Sequence, residues 1–283
     1  MILCVRYLAL FFLALPFTMA APGFIDAVFL LGDSLTQESN AGSLHNRLSQ
    51  YFTRRFDVLN RGFGGGAIPV LENAFAKKTD REAGKAQAVQ LLTIWFGAND
   101  AVLPGRPQYI PIDKFQANLK HLAAMVRDPK SEWYSPNTRV VLISPPPIIE
   151  DERAKGQIAR WKEFGSEGEA PQLDRDAENT HKYAEAVVAV GDETGIPTVD
   201  LWSAVVKAAG GNTPEKLKPY FYDGLHFTSL GYEVLFNELK ALLLKTWPEL
   251  EPESWAMGVP HWSEVDPANP RQAFQAPRKR DEL

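Results

Sequence analysis

The sequence has almost no cysteine, no excess of basic charge, and no apolar stretch that runs unbroken for the length of a membrane span. Its one cysteine, Cys4, lies at the extreme N-terminus. That excludes an intramolecular disulfide and a thiolate zinc cage, and leaves no cysteine nucleophile in the body of the chain. Lys plus Arg number 30 against 35 Asp plus Glu, for a net charge of −5. No general basic field is available for phosphates, and a nucleic-acid partner is not expected. N-x-S/T is also missing, so N-glycosylation is not expected in any compartment. His45, His121, His181 and His261 show no metal-ligand spacing, and neither a metal nor a cofactor is expected. What the chain does have is a globular composition, 45% hydrophobic and 23% charged over 283 residues. That suffices for a large core, excludes disorder of the whole chain, and fits one main domain.

Both ends read as addresses. No charge occurs between Arg6 and Asp26; the run YLALFFLALPF is followed by Thr18, Met19 and Ala20, the layout of a secretory signal cleaved after Ala20. Pro16, Pro22 and Gly23 interrupt the stretch and leave a core shorter than the roughly 20 residues of a spanning helix. Residues 1–20 are therefore expected to be a signal peptide rather than an anchor, with no stable membrane insertion. The chain ends in Arg280, Asp281, Glu282 and Leu283, close to the K-D-E-L and H-D-E-L retention signals but with arginine in first place. A retention tail has meaning only on a chain that enters the secretory route. The pairing predicts residence in the lumen of the endoplasmic reticulum, with a retention receptor as partner. A secreted or signal-anchored protein is the alternative, the tail then being a solvated charged end.

Between the ends, strands alternate with helices. AVFLL at 27–31, LLTIWF at 91–96 and RVVLI at 139–143 are continuously apolar, as strands buried on both faces of a parallel sheet are. FDVLN at 56–60 and IPTVDL at 196–201 complete five. Phe115, Leu119, Leu122 and Val126 share one helical face, as do Leu235, Leu239 and Leu242. The alternation predicts a three-layer α/β/α sandwich with a five-stranded parallel sheet and functional groups beyond the carboxyl ends of the strands. Residues 150–176, charged and glycine-containing, read as a mobile excursion over the site or surface. The proline-rich stretch 251–283, with Trp255 and Trp262, reads as an irregular extension packed across the domain.

Chemistry-bearing residues fall at the expected strand ends. GDSLTQES after the first strand places Ser34 at a strand-to-helix turn, where a hydroxyl and an amide meet a helix N-terminus that favours developing negative charge; an ordinary helix cap has the same composition. NRGFGGGA after the second strand brings glycines 62, 64, 65 and 66, which let backbone approach a ligand and expose amide donors. The same letters spell G-x-G-x-x-A with Asp80 beyond, but a dinucleotide fingerprint follows the first strand and opens a helix. FGANDA after the third strand offers the Asn99 amide, an oxyanion donor or a turn former. YFYDGLHFTSLGY after the fifth sets Asp223 three residues before His226. That spacing lets a carboxylate orient an imidazole so that its other nitrogen takes a proton from serine, and it also suits a surface turn.

GDS at 32–34, the glycines after NRG, GAND at 97–100 and DGLH at 223–226 together resemble, in order and context, the four blocks of the SGNH (GDSL) hydrolase superfamily. NRGF, IWFGAND and the SPPP at 144–147 look most like its isoamyl acetate-hydrolysing esterase branch. The similarity spans roughly residues 26–247, and the hydrolase domain is expected over 21–250, on the flavodoxin-like fold of that superfamily. The resemblance implies Ser34 as nucleophile, His226 as general base and Asp223 as its orienter. It further implies an oxyanion hole from the Ser34 amide, the Gly65 amide and the Asn99 side chain, Gly64 standing where a serine usually precedes the block's glycine. Asp33 and Asp100 are expected to be structural, and Pro145, Pro146 and Pro147 to stiffen one wall of the site. The expected function is a serine esterase for short-chain acyl esters of small molecules, without cofactor. The alternatives are a glycan O-acetyl deacetylase of the secretory pathway and a non-catalytic lumenal binding protein on the same fold.

Overall fold

The computed structural model describes residues 25–274 apart from 65–67, 166 and 259, and leaves the side chains of 68, 69 and 274 undescribed. The expected signal peptide at 1–20, Gly65 and the tail Arg280–Leu283 lie outside the described residues.

The chain runs β1 (Ala27–Gly32), α1 (Ser34–Gln37), α2 (Leu44–Tyr51), β2 (Asp57–Gly62), α3 (Ile68–Ala74), α4 (Lys78–Glu82), β3 (Val89–Trp95), α5 (Ile112–Arg127), β4 (Arg139–Ile143) and α6 (Glu150–Glu163). It continues through α7 (Ala177–Thr194), β5 (Thr198–Val199), α8 (Leu201–Ala209), α9 (Pro214–Leu217) and α10 (Ser229–Thr246) before short 3-10 turns. The five strands form one parallel sheet in the order β2-β1-β3-β4-β5. All residues of β1 and β3 are buried, as their uninterrupted apolar runs require. Successive side chains of β1 alternate between two cores. Val28 and Leu30 pack with Leu48 of α2, Val205 of α8 and Leu235 and Leu239 of α10. Phe29 and Leu31 pack with Leu71 of α3, Phe115 and Leu119 of α5 and Val187 of α7. The result is the expected three-layer α/β/α sandwich. Because β2 lies on one side of β1 and β3 on the other, the connections diverge there and open a crevice at the carboxyl ends of these strands.

Three expectations are corrected. The fifth strand is two residues, Thr198 and Val199, rather than 196–201, because the Asp200 carboxylate caps α8 by accepting from the Ser203 amide at 3.1 Å. The Ser144 hydroxyl also accepts from the Leu201 amide at 2.9 Å, so Leu201 begins a helix. The stretch 150–176 is no loose excursion: α6 occupies 150–163, with Glu150, Asp151 and Glu152 in its first turn and Arg160 and Lys162 in its last, matching the helix dipole. Further along, Arg175, 1% exposed, donates from Nη1 to the Ala98 carbonyl at 2.7 Å and pairs with Asp174. This segment therefore clamps the loop after β3. Finally, Pro145, Pro146 and Pro147 are buried, with Pro145 behind Gly97. They stiffen the path from β4 to α6 beneath the site, not its wall.

The C-terminal stretch packs as irregular structure over its described part. Trp255 stacks edge-on against Phe56 and Arg55 donates to the Pro252 carbonyl, whereas Trp262 is exposed.

Candidate active site

Ser34 follows the end of β1 as the first residue of α1. Asp33 caps this one-turn helix, its carboxylate accepting from the Leu35 amide at 2.9 Å. The short helix is held from above by α10, where the buried Tyr232 hydroxyl donates to the Leu35 carbonyl at 2.7 Å. β2 presses close beside it: a Cβ on Gly62 would lie 2.0 Å from the Gln37 nitrogen. The Gly62 approach is thus to the turn that carries Ser34 rather than to a ligand. Gly64 in turn donates its amide to Gln37 Oε1 at 2.9 Å and faces the cavity beside Ser34.

Asp223 and His226 come from the loop before α10 and reach Ser34 across 192 positions of sequence. Asp223 Oδ1 accepts from the amides of Leu225 at 3.0 Å and His226 at 2.7 Å, which folds the loop into a tight turn. Gly224 sits there at φ +79°, and an added Cβ would be 2.4 Å from both the Arg153 nitrogen and the Ile149 carbonyl oxygen. Only glycine fits that turn beneath α6. Asp223 Oδ2 lies 2.8 Å from His226 Nδ1, and His226 Nε2 lies 3.0 Å from Ser34 Oγ. A carboxylate only accepts, so Nδ1 carries the proton and Nε2 keeps the lone pair that receives the serine hydroxyl. Burial pushes the Asp223 carboxyl up, but its hydrogen bond to His226, that ring's charge and the two backbone amides outweigh this and hold it well below the usual carboxylate range.

Asn99 lies just beyond β3 and shares the cavity with Ser34. Its Nδ2 donates to Asp33 Oδ2 at 3.3 Å, which uses one of its two N–H bonds and orients the other. Burial pushes the Asp33 carboxyl up to about 6, with the Leu35 amide pulling against it. Asp100 accepts from the Gly97 amide at 3.1 Å and closes the turn that presents Asn99. Both aspartates serve the frame of the site, as expected.

The structure thus brings Ser34, Asn99, Asp223 and His226 together, while Gly65 lies outside the described residues. Two cavities meet at Ser34 and His226, of about 310 and 460 Å³. The remaining histidines stand apart: His45 faces the Val58 carbonyl, His181 stacks on Trp202 and His261 pairs with Ser263. Among the described residues no cluster of ligands for a metal occurs.

Sequence reasoning missed several residues at the site. Tyr222 stacks on the His226 ring at 17° and 5.6 Å and donates its hydroxyl to Glu38 at 3.1 Å. Arg153 of α6 reaches Asp223 Oδ2 at 3.2 Å, and Arg160 borders both cavities. The adjacency of Tyr222 to Asp223 was the one available signal; nothing in the pattern of α6 marks its arginines as facing inward.

Comparison with known proteins gives the family of the chain and its fold. A model of the GDSL-like Lipase/Acylhydrolase family matches residues 30–234. The chain is 32% identical over 256 residues to a GDSL esterase/lipase of Arabidopsis thaliana, covering 88% of this chain and 97% of that protein. It is 33% identical over 247 residues to the isoamyl acetate-hydrolyzing esterase 1 homolog of Mus musculus, covering 86% of this chain and 89% of that one. Among solved structures, the lipase/acylhydrolase from Enterococcus faecalis superimposes with a TM-score of 0.52 at 21% identity, over 78% of this chain and 97% of the other.

Proposed function

The chain belongs to the GDSL-like lipase/acylhydrolase family, and from that premise we propose that it cleaves short-chain acyl esters through an acyl-enzyme on Ser34. It is a carboxylic ester hydrolase. The observation that carries the residue assignment is the unbroken relay Asp223–His226–Ser34, with spacings of 2.8 and 3.0 Å.

His226 Nε2 takes the Ser34 proton as Oγ attacks the ester carbonyl; the first tetrahedral oxyanion forms, then collapses as the imidazolium returns the proton to the leaving alcohol. Water, deprotonated by the same nitrogen, attacks the acyl-serine and releases the acid through a second oxyanion. Asp223 stays ionised throughout, fixing the ring and stabilising its charge. The oxyanion is met by the Asn99 side chain and the Ser34 amide, with Gly65 assigned as the third donor from the family pattern. Asn99, held by Asp33, and the Ser34 amide at the start of α1 are oriented in advance, so little reorganisation is needed as charge develops.

The test is hydrolysis of a p-nitrophenyl ester series from acetate upward. Asn99→Ala is expected to lower kcat by about a hundredfold or more with folding intact by circular dichroism. An unchanged kcat overturns its role as an oxyanion donor.

Among the described residues no helix is long and apolar enough to cross a membrane. The hydrolase domain is assigned to 21–250, between an N-terminal leader at 1–20 and an extension ending at Arg280–Leu283. These two ends support delivery to the secretory pathway and capture by a retention receptor in the endoplasmic reticulum. In eukaryotic cells the full chain, tagged internally, is expected inside the cell and a variant lacking the last four residues in the medium. Equal distribution of the two overturns retention.

A further inference from the structure

The wall that α6 adds to the site has the wrong chemistry for a purely apolar ester. The 310 Å³ cavity beside Ser34 and His226 is bordered by Arg153, Arg160, Gln108 and Asn99, with Leu225 as its apolar side chain and no carboxylate among the described residues. In a chain of net charge −5, two guanidinium groups next to the nucleophile stand out from the surrounding charge.

Neither arginine is consumed by the protein. The Arg153 side chain is 10% exposed, and of its five N–H donors one is engaged, by Asp223 Oδ2 at 3.2 Å. Its Nε is buried and has no hydrogen-bond partner among the described residues, which is unfavourable unless something accepts from that guanidinium edge. Arg160 lies two turns further along the same helix face and makes no ion pair with a described residue, although it borders both cavities. The lysines nearby behave differently: Lys155 and Lys218 both pair with Glu152 on the outer side. Glu38, which borders the second cavity, already accepts from Tyr222 and Asn40. Asp174 is taken by Arg175 and Asp223 by His226.

From this we infer that the Arg153–Arg160 face of α6 is an anion-binding wall, and that the preferred substrate is an ester carrying a carboxylate or phosphate group beside the scissile acyl bond. The inference rests on the ester-hydrolase reading and narrows it. A neutral alkyl ester would lay methylene groups against guanidinium and strip its water without replacement. An anion supplies charge-assisted hydrogen bonds to Arg153, which Asp223 holds, and to Arg160, which is exposed beside it. Arg153 then has two duties, holding Asp223 with one edge and substrate with another. Arg160 serves the anion alone and is the residue to vary.

The experiment compares matched pairs of esters at low ionic strength. 4-Nitrophenyl hydrogen succinate against 4-nitrophenyl butyrate puts a carboxylate on the acyl side; 4-carboxyphenyl acetate against 4-carbamoylphenyl acetate puts it on the alcohol side. 2-Acetoxyethyl phosphate against 2-methoxyethyl acetate replaces carboxylate by phosphate. The charged member of at least one pair is expected to have a kcat/KM about tenfold higher, with the advantage shrinking in 0.5 M salt. Arg160→Glu should abolish or reverse that ratio, and Arg160→Lys should keep part of it. Binding of succinate and of inorganic phosphate to the Ser34→Ala protein, with and without Arg160→Glu, is measured by calorimetry. Equal kcat/KM within every pair, or a ratio untouched by Arg160→Glu, overturns the anion wall while leaving ester hydrolysis standing. Anion binding that depends on Arg160, in a protein that turns over no ester, supports the wall and overturns the hydrolytic reading instead.

Discussion

Replacing Ser34 by alanine is expected to lower kcat for p-nitrophenyl acetate by about 10⁵-fold or more. The loss follows from the relay itself. His226 Nε2 accepts from the Ser34 hydroxyl at 3.0 Å, and without the hydroxyl no covalent route remains. Oxyanion donors can still polarise a carbonyl toward water, which sets a residual rate above the uncatalysed one. Intact mass after treatment with an alkyl phosphonate gives an independent reading: wild type gains one adduct, on Ser34, and Ser34→Ala gains none. A folded Ser34→Ala protein with wild-type turnover would sink the nucleophile assignment. A folded wild type that neither turns over esters nor reacts would move the non-catalytic binding protein to the front.

The second large effect is expected at Asp223. Asparagine keeps the size but can place an N–H opposite His226 Nδ1, which favours the tautomer with its proton on Nε2, where the serine proton must go. A fall in kcat of about 10⁴-fold is expected on that ground, with KM for the same ester little changed. A variant within tenfold of wild type would show that the ring needs no ionised partner. The same carboxylate carries a stability signature. Its folded pKa lies below that of an ordinary aspartate, so its contribution is complete above the ordinary value and is lost as pH falls toward the lower folded one. Asp223→Asn should therefore lose less stability than wild type between pH 5 and pH 3, read as the difference in Tm between the two proteins at each pH.

The resemblance of four short blocks to one superfamily singles out Ser34, Asn99, Asp223 and His226, and the structure brings these four together. Each block alone had an ordinary alternative, and the alternatives are partly true: Asp33 does cap α1, and Asp223 does close a turn. In this chain the cap and the turn are the means by which the reactive groups are aimed. Local hydrogen-bonding chemistry is shared between structural and catalytic uses, so only the order of the blocks separated them.

The helix α6 was not legible for a physical reason. An amphipathic helix announces itself by an apolar stripe, and the face of α6 turned to the site carries Arg153 and Arg160. Its Gly156, a poor helix former, looked like a loop signal. In place, Gly156 is what lets α6 sit against Asp223, whose Cβ would be 3.2 Å from a Cβ added there. The fifth strand was overextended for a related reason: IPTVDL is apolar enough for a strand, but the Asp200 cap ends it early.

The sequence alone determined the layered α/β architecture and which side chains are the candidates for the reactive groups. Buried parallel strands demand unbroken apolar runs, and acyl transfer demands particular side chains. Tertiary structure alone decided which residues line the cavity around them. α6 places Arg153 against Asp223 across 70 positions of sequence, and Arg175 holds the Asn99 loop across 77. Such pairings depend on how helices pack across the carboxyl ends of the sheet, and no periodicity along the chain encodes them.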